Sequence, residues 1–265
     1  MSGAEARALP DRLSRDVAAA LDAARDPLPV KSLSVFFPCY NDAPTIGGLV
    51  CRIDVLLDAL GIAHEIIVVN DGSTDGSDAV LRELAAEVSR LRVVEHDANR
   101  GYGAALRSGF DAATQEWVFY TDGDAQFDPA EVVHLLERAS DGVDVVQGWK
   151  VERRDSWVRG LIGRAYHHVV RLSFRLPVRD TDCDFRLIRR ALLARVNLRH
   201  SSGVICVEMM RKFDRAGARF VEVPVHHYPR PFGRSQFFRF RRVAESLRDV
   251  AWLWVQLVLL RRDNA

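Results

Sequence analysis

The chain has four cysteines among 265 residues, and none of them lies in a CxxC pair. Cys39, Cys51, Cys183 and Cys206 therefore form neither a disulfide framework nor a zinc ribbon, and a reducing, cytoplasmic compartment is expected. The opening stretch MSGAEARALPDRLSRDVAAALDAARD has no apolar core, so no secretory leader is expected. No run approaches the ~20 apolar residues of a membrane span. The C-terminal VAWLWVQLVLL comes nearest and is too short. Internal repeats and low-complexity tracts are absent. Net charge is also nearly absent, at +1, but this sum hides an asymmetry. Residues 1–149 carry 12 Lys and Arg against 25 Asp and Glu, and residues 150–265 carry 25 against 11. The basic half is rich in arginine, whose fork suits phosphate, and a basic face fits a phosphate ligand or an anionic membrane. No nucleic-acid-binding motif accompanies it, so a nucleic-acid partner is not expected.

Hydrophobic residues make up 48 % of the chain, enough for a substantial core. An alanine-rich amphipathic helix is predicted at 11–25, followed by the linker DPLPVK. From SLSVFFP onward, apolar strands alternate with helical segments: 44–60 as helix, HEIIVVND as strand, AVLRELAAEV as helix, LRVVEH as strand, AALRSGFDAA as helix and EWVFYTD as strand. This β-α alternation predicts an α/β fold, a doubly wound, mostly parallel sheet with helices on both faces. Ligands bind such sheets beyond the carboxyl ends of the strands. Four polar loops then share one rim: PCYND, NDGSTD, NRGYG and TDGDAQ. Further along, 131–139 reads as a helix, VDVVQGW as a strand, DTDCDFRLIRRALL as a loop entering a helix, ARFVEVPVHHY as a strand, and the C-terminus as one amphipathic helix. Three segments are expected: a helix and linker at 1–31, the main domain at 32–240, and an interfacial helix at 241–265.

Within TDGDAQ, Asp122, Asp124 and Gln126 alternate, so an extended segment projects them to one side. Two carboxylates and an amide oxygen are hard ligands that suit Mg²⁺ or Mn²⁺ and not zinc. A lone DxD is more often a solvated turn; its place at the end of a fourth strand favours the metal. Asp128 before Pro129 reads as the cap of the next helix. Asp71, directly after the IIVV strand, is placed to accept hydrogen bonds from a base or ribose, and Tyr40 offers a ring for stacking. Asx-turns and a helix cap at Ser73, Thr74 and Asp75 account for part of this polarity. NRGYG follows the third strand and lacks the third glycine of a dinucleotide fingerprint, which disfavours a dehydrogenase.

Taken in order and spacing, PCYND (38–42), VNDGSTD (69–75), NRGYGAA (99–105) and DGDAQ (122–126) resemble glycosyltransferase family 2. DTDCDFRLIRR (180–190) and VEVPVHHYPRPFGRSQ (221–236) resemble its polyprenyl-phosphate branch, which includes the dolichyl-phosphate mannose synthases. The resemblance covers roughly residues 32–240 and implies the GT-A fold, a GDP- or UDP-sugar donor and a divalent cation. It implies that Pro38, Tyr40, Asp42, Val69, Asp71, Gly103 and Gly123 line the donor pocket, with Val69 flanking the base. Asp122, Asp124 and Gln126 would bind the metal, and Arg230 would reach the diphosphate. The family more often has Glu at position 42. Where the synthase has a lysine after GxS, this chain has Gln236, and Arg234 is the substitute cation. DCDFR also departs from the synthase's usual GFR.

The acceptor expected from this branch is a polyprenyl phosphate, an anion that needs no strong base to attack. The ED base and QxxRW motif of polysaccharide-building relatives are absent. Arg153, Arg154, Arg159 and Arg164, interleaved with Trp157, Leu161, Ile162 and Tyr166, are the candidates for the acceptor phosphate and a membrane-touching surface. An anionic membrane partner and peripheral attachment to the cytoplasmic face follow from that reading. Two alternatives stand beside it: a family member acting on a sugar hydroxyl, and a non-catalytic nucleotide-binding or scaffold protein. Glu208 reads equally as a family acid or a buried anchor, and Phe237, Phe238 and Phe240 as core or lid.

Overall fold

The computed structural model describes residues 28–151, 169–232 and 240–260. Arg153, Arg154, Arg159, Arg164, Arg234, Gln236 and the helix expected at 11–25 lie outside these residues. The chain runs β1 (Ser32–Cys39), α1 (Ala43–Ala59), β2 (Ala63–Asn70), α2 (Ser77–Glu87), β3 (Leu91–Glu95), α3 (Tyr102–Ala112) and β4 (Trp117–Thr121). It continues through α4 (Val132–Leu136), β5 (Val145–Lys150), β6 (Phe185–Arg189), α5 (Ile205–Arg215), β7 (Phe220–Val225) and α6 (Phe240–Trp254).

Among the described residues the sheet has seven strands in the order β3-β2-β1-β4-β6-β5-β7. The β3-β2-β1-β4 block is parallel, with Val35 opposite Ile66 and Phe119, so the carboxyl ends of four strands open on one side. Strand alternation divides the core. Val35, Phe37, Ile66, Val68 and Phe119 pack toward α1 and α2. Phe36, Ile67, Val69, Val118 and Tyr120 pack toward α3, α5 and α6. On that second face Phe36, Phe110 and Tyr120 form an aromatic trio with centroids 5.1–5.5 Å apart. The Phe36 ring lies so close to Gly109 that a Cβ there would overlap it.

Three sequence expectations need correction. DTDCDFRLIRR contains strand β6, which runs antiparallel between β4 and β5. Its hidden marker is Arg186, a charged residue that is fully buried in a central strand. The helix expected at 131–139 is a single 3₁₀ turn followed by the five-residue α4. The C-terminal helix changes at Val255–Leu259 into a π-helical turn. That helix belongs to the main fold: Leu253 and Leu257 are buried among Val170, Phe174 and Met210. Trp254 Nε1 also donates to the Ser173 carbonyl at 3.1 Å.

Candidate active site

The four loops at the carboxyl ends are fastened to one another in strand order. At the β1–β2 step, Ser73 Oγ accepts from the Asn41 amide at 3.0 Å and Asn41 Oδ1 accepts from the Thr74 amide at 2.7 Å. Asn41 has φ 59°, the left-handed region that asparagine tolerates. At the β2–β3 step, Asp71 accepts from the Arg100 amide at 2.9 Å and the Gly101 amide at 3.0 Å. Its Oδ1 also meets His96 Nδ1 at 2.6 Å, and His96 Nε2 meets Ser108 Oγ at 2.9 Å. At the β1–β4 step, Thr45 Oγ1 donates to the Gly123 carbonyl at 2.6 Å. A Cβ at Gly123 would lie 3.0 Å from the Pro38 carbonyl and 3.4 Å from Asp42 Oδ2, so a side chain there would press these loops apart by a few tenths of an ångström.

At the centre of the rim stand Asp122 and Asp124, just past the end of β4. Asp122 Oδ1 accepts from the Tyr102 hydroxyl at 2.8 Å. Asp124 Oδ1 accepts from the Gln126 amide at 3.0 Å, and its Oδ2 pairs with Arg230 Nη2 at 2.6 Å. Burial, and then the nearby Asp184 and Asp124 charges, push the Asp122 carboxyl well above the ordinary carboxylate range. Burial pushes Asp42 up to about 6; Asp124 adds to this and Arg230 opposes it. The Tyr102 phenol is held protonated by burial and by Asp122 beside it.

Several carboxylates thus stand close enough to raise one another's proton affinity, a setting that a divalent cation stabilises. The hard-oxygen donor set fits Mg²⁺ or Mn²⁺. Among the described residues no three His, Cys, Asp or Glu side chains enclose a metal ion. A cation would therefore hold the two aspartates and take further oxygens from water and ligand phosphate. Gln126, expected as the third protein ligand, turns its amide nitrogen to the Tyr228 carbonyl at 3.1 Å. Arg230 Nε is buried and has no hydrogen-bond partner among the described residues. An orphaned guanidinium donor beside the aspartates is a ready place for an anion.

The other expected residues divide. Tyr40 is half-buried at the rim, and Asp42 is electrostatically linked to Asp124 and Arg230. Val69 is a correction: it is fully buried beneath α3, because its place in the strand turns it into the core, and it offers no surface to a base. Asp71 is present at the rim with both oxygens engaged by protein donors. Gly103 lies against the His200 carbonyl, and its amide donates to Ser201 O at 2.9 Å. Glu208 is an anchor: fully buried, it accepts from the Arg199 and His200 amides and pairs with Lys212 at 2.8 Å. Asp128 caps the turn that follows it, accepting from the Ala130 amide. Burial lifts the Cys39 thiol to about 12 and Cys183 further, so neither is a nucleophile.

Sequence reasoning missed Tyr102, Asp184 and Arg186. Arg186 donates to Gln147 Oε1 at 2.6 Å, to Asp184 Oδ1 at 2.8 Å, and to Tyr120 Oη and the Thr181 carbonyl. It ties the 180–184 loop to the sheet beside Asp122. The signal for Tyr102 was its place between two glycines at a helix start; for the others it was the acid-rich run DTDCDFR.

The mostly parallel sheet with its single antiparallel strand and flanking helices is a GT-A fold. Residues 34–196 match glycosyl transferase family 2, and the chain belongs to that family. Solved structures agree on the fold. Glucosyl-3-phosphoglycerate synthase from Mycobacterium tuberculosis, in complex with Mn²⁺, uridine diphosphate and phosphoglyceric acid, superposes with a TM-score of 0.63 at 20% identity, covering 92% of this chain and 82% of that one. A mannosyltransferase from Pyrobaculum calidifontis, in complex with GDP-mannose and Mn²⁺, gives 0.60 at 23%, covering 96% and 75%.

Proposed function

We propose that this chain is an inverting transferase that moves a hexose from a GDP- or UDP-sugar to a polyprenyl phosphate at a membrane surface. The observation that carries the donor half is the Asp122, Asp124 and Arg230 constellation, with Arg230 Nε buried and unpartnered among the described residues. Asp122 and Asp124, with Gln126 at the edge of the same turn, would hold Mg²⁺ or Mn²⁺. When bound, that cation offsets the charge developing on the departing diphosphate. Arg230 would leave Asp124 for the diphosphate and act on the same charge. Tyr40 would cover the base, and Asp42 and Gly123 would line the pocket. Asp71 would contribute by holding the 99–101 loop at its rim. Gly103 would seat that loop on residues 200–202.

The acceptor phosphate would attack the anomeric carbon through one of its oxygens. The new C–O bond forms as the bond to the diphosphate oxygen breaks, and an α-linked donor yields a β-linked product. A phosphate monoester is already anionic near neutral pH, so no general base is required. Asp184, a carboxylate beside Asp122, is held by Arg186 and Cys206 Sγ and is therefore poorly suited to serve as a base for a sugar hydroxyl.

The lipid half rests on the face formed by residues 169–174 and α6. An apolar groove of about 330 Å³ runs there, lined by Val170, Phe174, Leu247, Val250, Trp254 and Val255. Around it Leu172 is 75% exposed and Leu259 65%, with exposed Arg171, Arg175 and Arg248 nearby. Apolar residues with interspersed arginines suit an anionic bilayer and a helix lying in it. No helix among the described residues is long and apolar enough to cross a membrane, so attachment would be peripheral. Arg153, Arg154, Arg159, Arg164 and Arg234 remain the proposed cations for the acceptor and donor phosphates.

Flotation with phosphatidylglycerol vesicles, with and without bound GDP or UDP, tests the lipid half. Co-flotation that weakens at high salt is expected. A protein that stays at the bottom of the gradient at low salt would leave a soluble phosphorylated acceptor as the better reading.

A further inference from the structure

We infer that Tyr102 is a positioning residue for the cation seat: its hydroxyl secures one oxygen of Asp122 and leaves the second as the metal ligand. The inference rests on the proposed nucleotide-sugar function and adds a residue to its machinery. The bond itself is short, 2.8 Å from the Tyr102 hydroxyl to Asp122 Oδ1. What distinguishes it from ordinary packing is how the backbone around Tyr102 is held. The amide before the tyrosine, Gly101 N, donates to Asp71 Oδ2 at 3.0 Å. The amide after it, Gly103 N, donates to the Ser201 carbonyl at 2.9 Å. A Cβ at Gly101 would run into the Ser201 carbonyl, and one at Gly103 into the His200 carbonyl. Gly101 also has φ 95°, which L side chains rarely adopt.

Both flanking peptides are thus pinned, one to the end of β2 and one to the 199–203 loop. Each pin has its own support. His96 holds Asp71 at 2.6 Å, and Glu208 holds the Arg199 and His200 amides at 3.0 Å. Two buried carboxylates outside the metal pair therefore fix the position from which Tyr102 reaches Asp122. Groups that hold a metal ligand from behind typically change metal affinity 10–100-fold when removed. A carboxylate with one oxygen already engaged also favours one-oxygen ligation. Mg²⁺ and Mn²⁺ accept that in an octahedral shell, whereas Ca²⁺ draws on two-oxygen carboxylates.

The test measures Mn²⁺ binding by the electron paramagnetic resonance signal of free Mn²⁺, with the full chain and saturating UDP or GDP, followed by displacement with Mg²⁺ and with Ca²⁺. Tyr102→Phe keeps the ring and removes the hydroxyl. The expected result is a Kd for Mn²⁺ raised about 10–100-fold, with Ca²⁺ gaining on Mg²⁺ as competitor. In an Asp122→Asn background the same change is expected to have no further effect, because its target oxygen pair is gone. Equal Mn²⁺ binding by wild type and Tyr102→Phe overturns the inference. So does a loss that is fully additive with Asp122→Asn, since that would mark a general structural role. A wild-type chain that takes up no Mn²⁺ with either nucleotide overturns the proposed function itself, a distinct outcome.

Discussion

Asp124 and Arg230 form a 2.6 Å ion pair in which Arg230 keeps a buried Nε–H without a partner among the described residues. In the proposed cycle each of these residues exchanges the other for a donor-derived partner, Asp124 for the cation and Arg230 for the diphosphate. Arg230→Ala should therefore lower kcat/KM at least about 100-fold, the scale seen when one preorganised donor to a developing charge is removed. Steady-state transfer kinetics with saturating Mn²⁺ check this, and a change under threefold would remove Arg230 from the donor site. Asp124→Ala should abolish nucleotide-dependent Mn²⁺ binding, read by calorimetry. Asp42 gives a pH-dependent expectation. Its carboxyl is raised to about 6 in the folded chain from an ordinary 3.8. Its contribution to stability is thus full below about pH 4 and is lost as pH rises through 6. Asp42→Asn should then stabilise the metal-free protein at pH 8 by on the order of 1–3 kcal/mol and leave it unchanged at pH 3.5, by urea unfolding. Stabilisation that is equal at both pH values would contradict the shift. The placement of Asp42, Asp122 and Asp124 at the carboxyl ends of the strands was legible because short, polar, ordered motifs announce a rim. Val69 was misread because a motif neighbour was taken for a pocket neighbour, although strand alternation alone turns it inward.

At the scale of elements, the legible part was the β1-to-β4 alternation, where apolar runs and turn residues agree. Strand β6 was not legible, since its FRLIR run is flanked by aspartates and arginines and carries Arg186 as its second residue. That residue makes sense only when Gln147, Tyr120, Asp184 and the Thr181 carbonyl surround it, and two of those four, Gln147 and Tyr120, lie on other strands. Arg186→Leu should cost about 3–5 kcal/mol, because it strands those partners in the core. It should also perturb the 180–184 loop beside Asp122. Denaturant midpoints measure the first effect, and a loss under 1 kcal/mol would show the network to be dispensable. The C-terminal helix was legible as amphipathic, but its docking was not. Leu253 and Leu257 are 1% exposed, and Arg215 Nη2 donates to the Leu257 carbonyl. Leu253→Ala should destabilise the whole domain by about 2–5 kcal/mol in one cooperative transition. A separate early transition would instead mark α6 as an independent appendage.

Across the whole molecule, charge and apolar surface are laid out along the chain in keeping with two substrates of different character. The acidic first half would supply the proposed cation seat. The basic second half supplies Arg230, the arginines beside the apolar groove and the remaining candidate cations. Family membership is shown by the match over residues 34–196, and the GT-A architecture by the superpositions on solved glycosyltransferases. The acceptor is the part of the proposal that the fold least constrains, because the same sheet serves many acceptors. The most direct measurement is therefore transfer itself. GDP-mannose, UDP-glucose and UDP-N-acetylglucosamine, each radiolabelled in the sugar, are incubated with the full chain, Mg²⁺ or Mn²⁺, and either undecaprenyl phosphate or 3-phosphoglycerate. The expected result is label in the chloroform phase from one donor with the lipid acceptor, absent with EDTA and with Asp124→Ala. Label that stays in the aqueous phase as a phosphoglycerate conjugate, or no product from any pair, would contradict it.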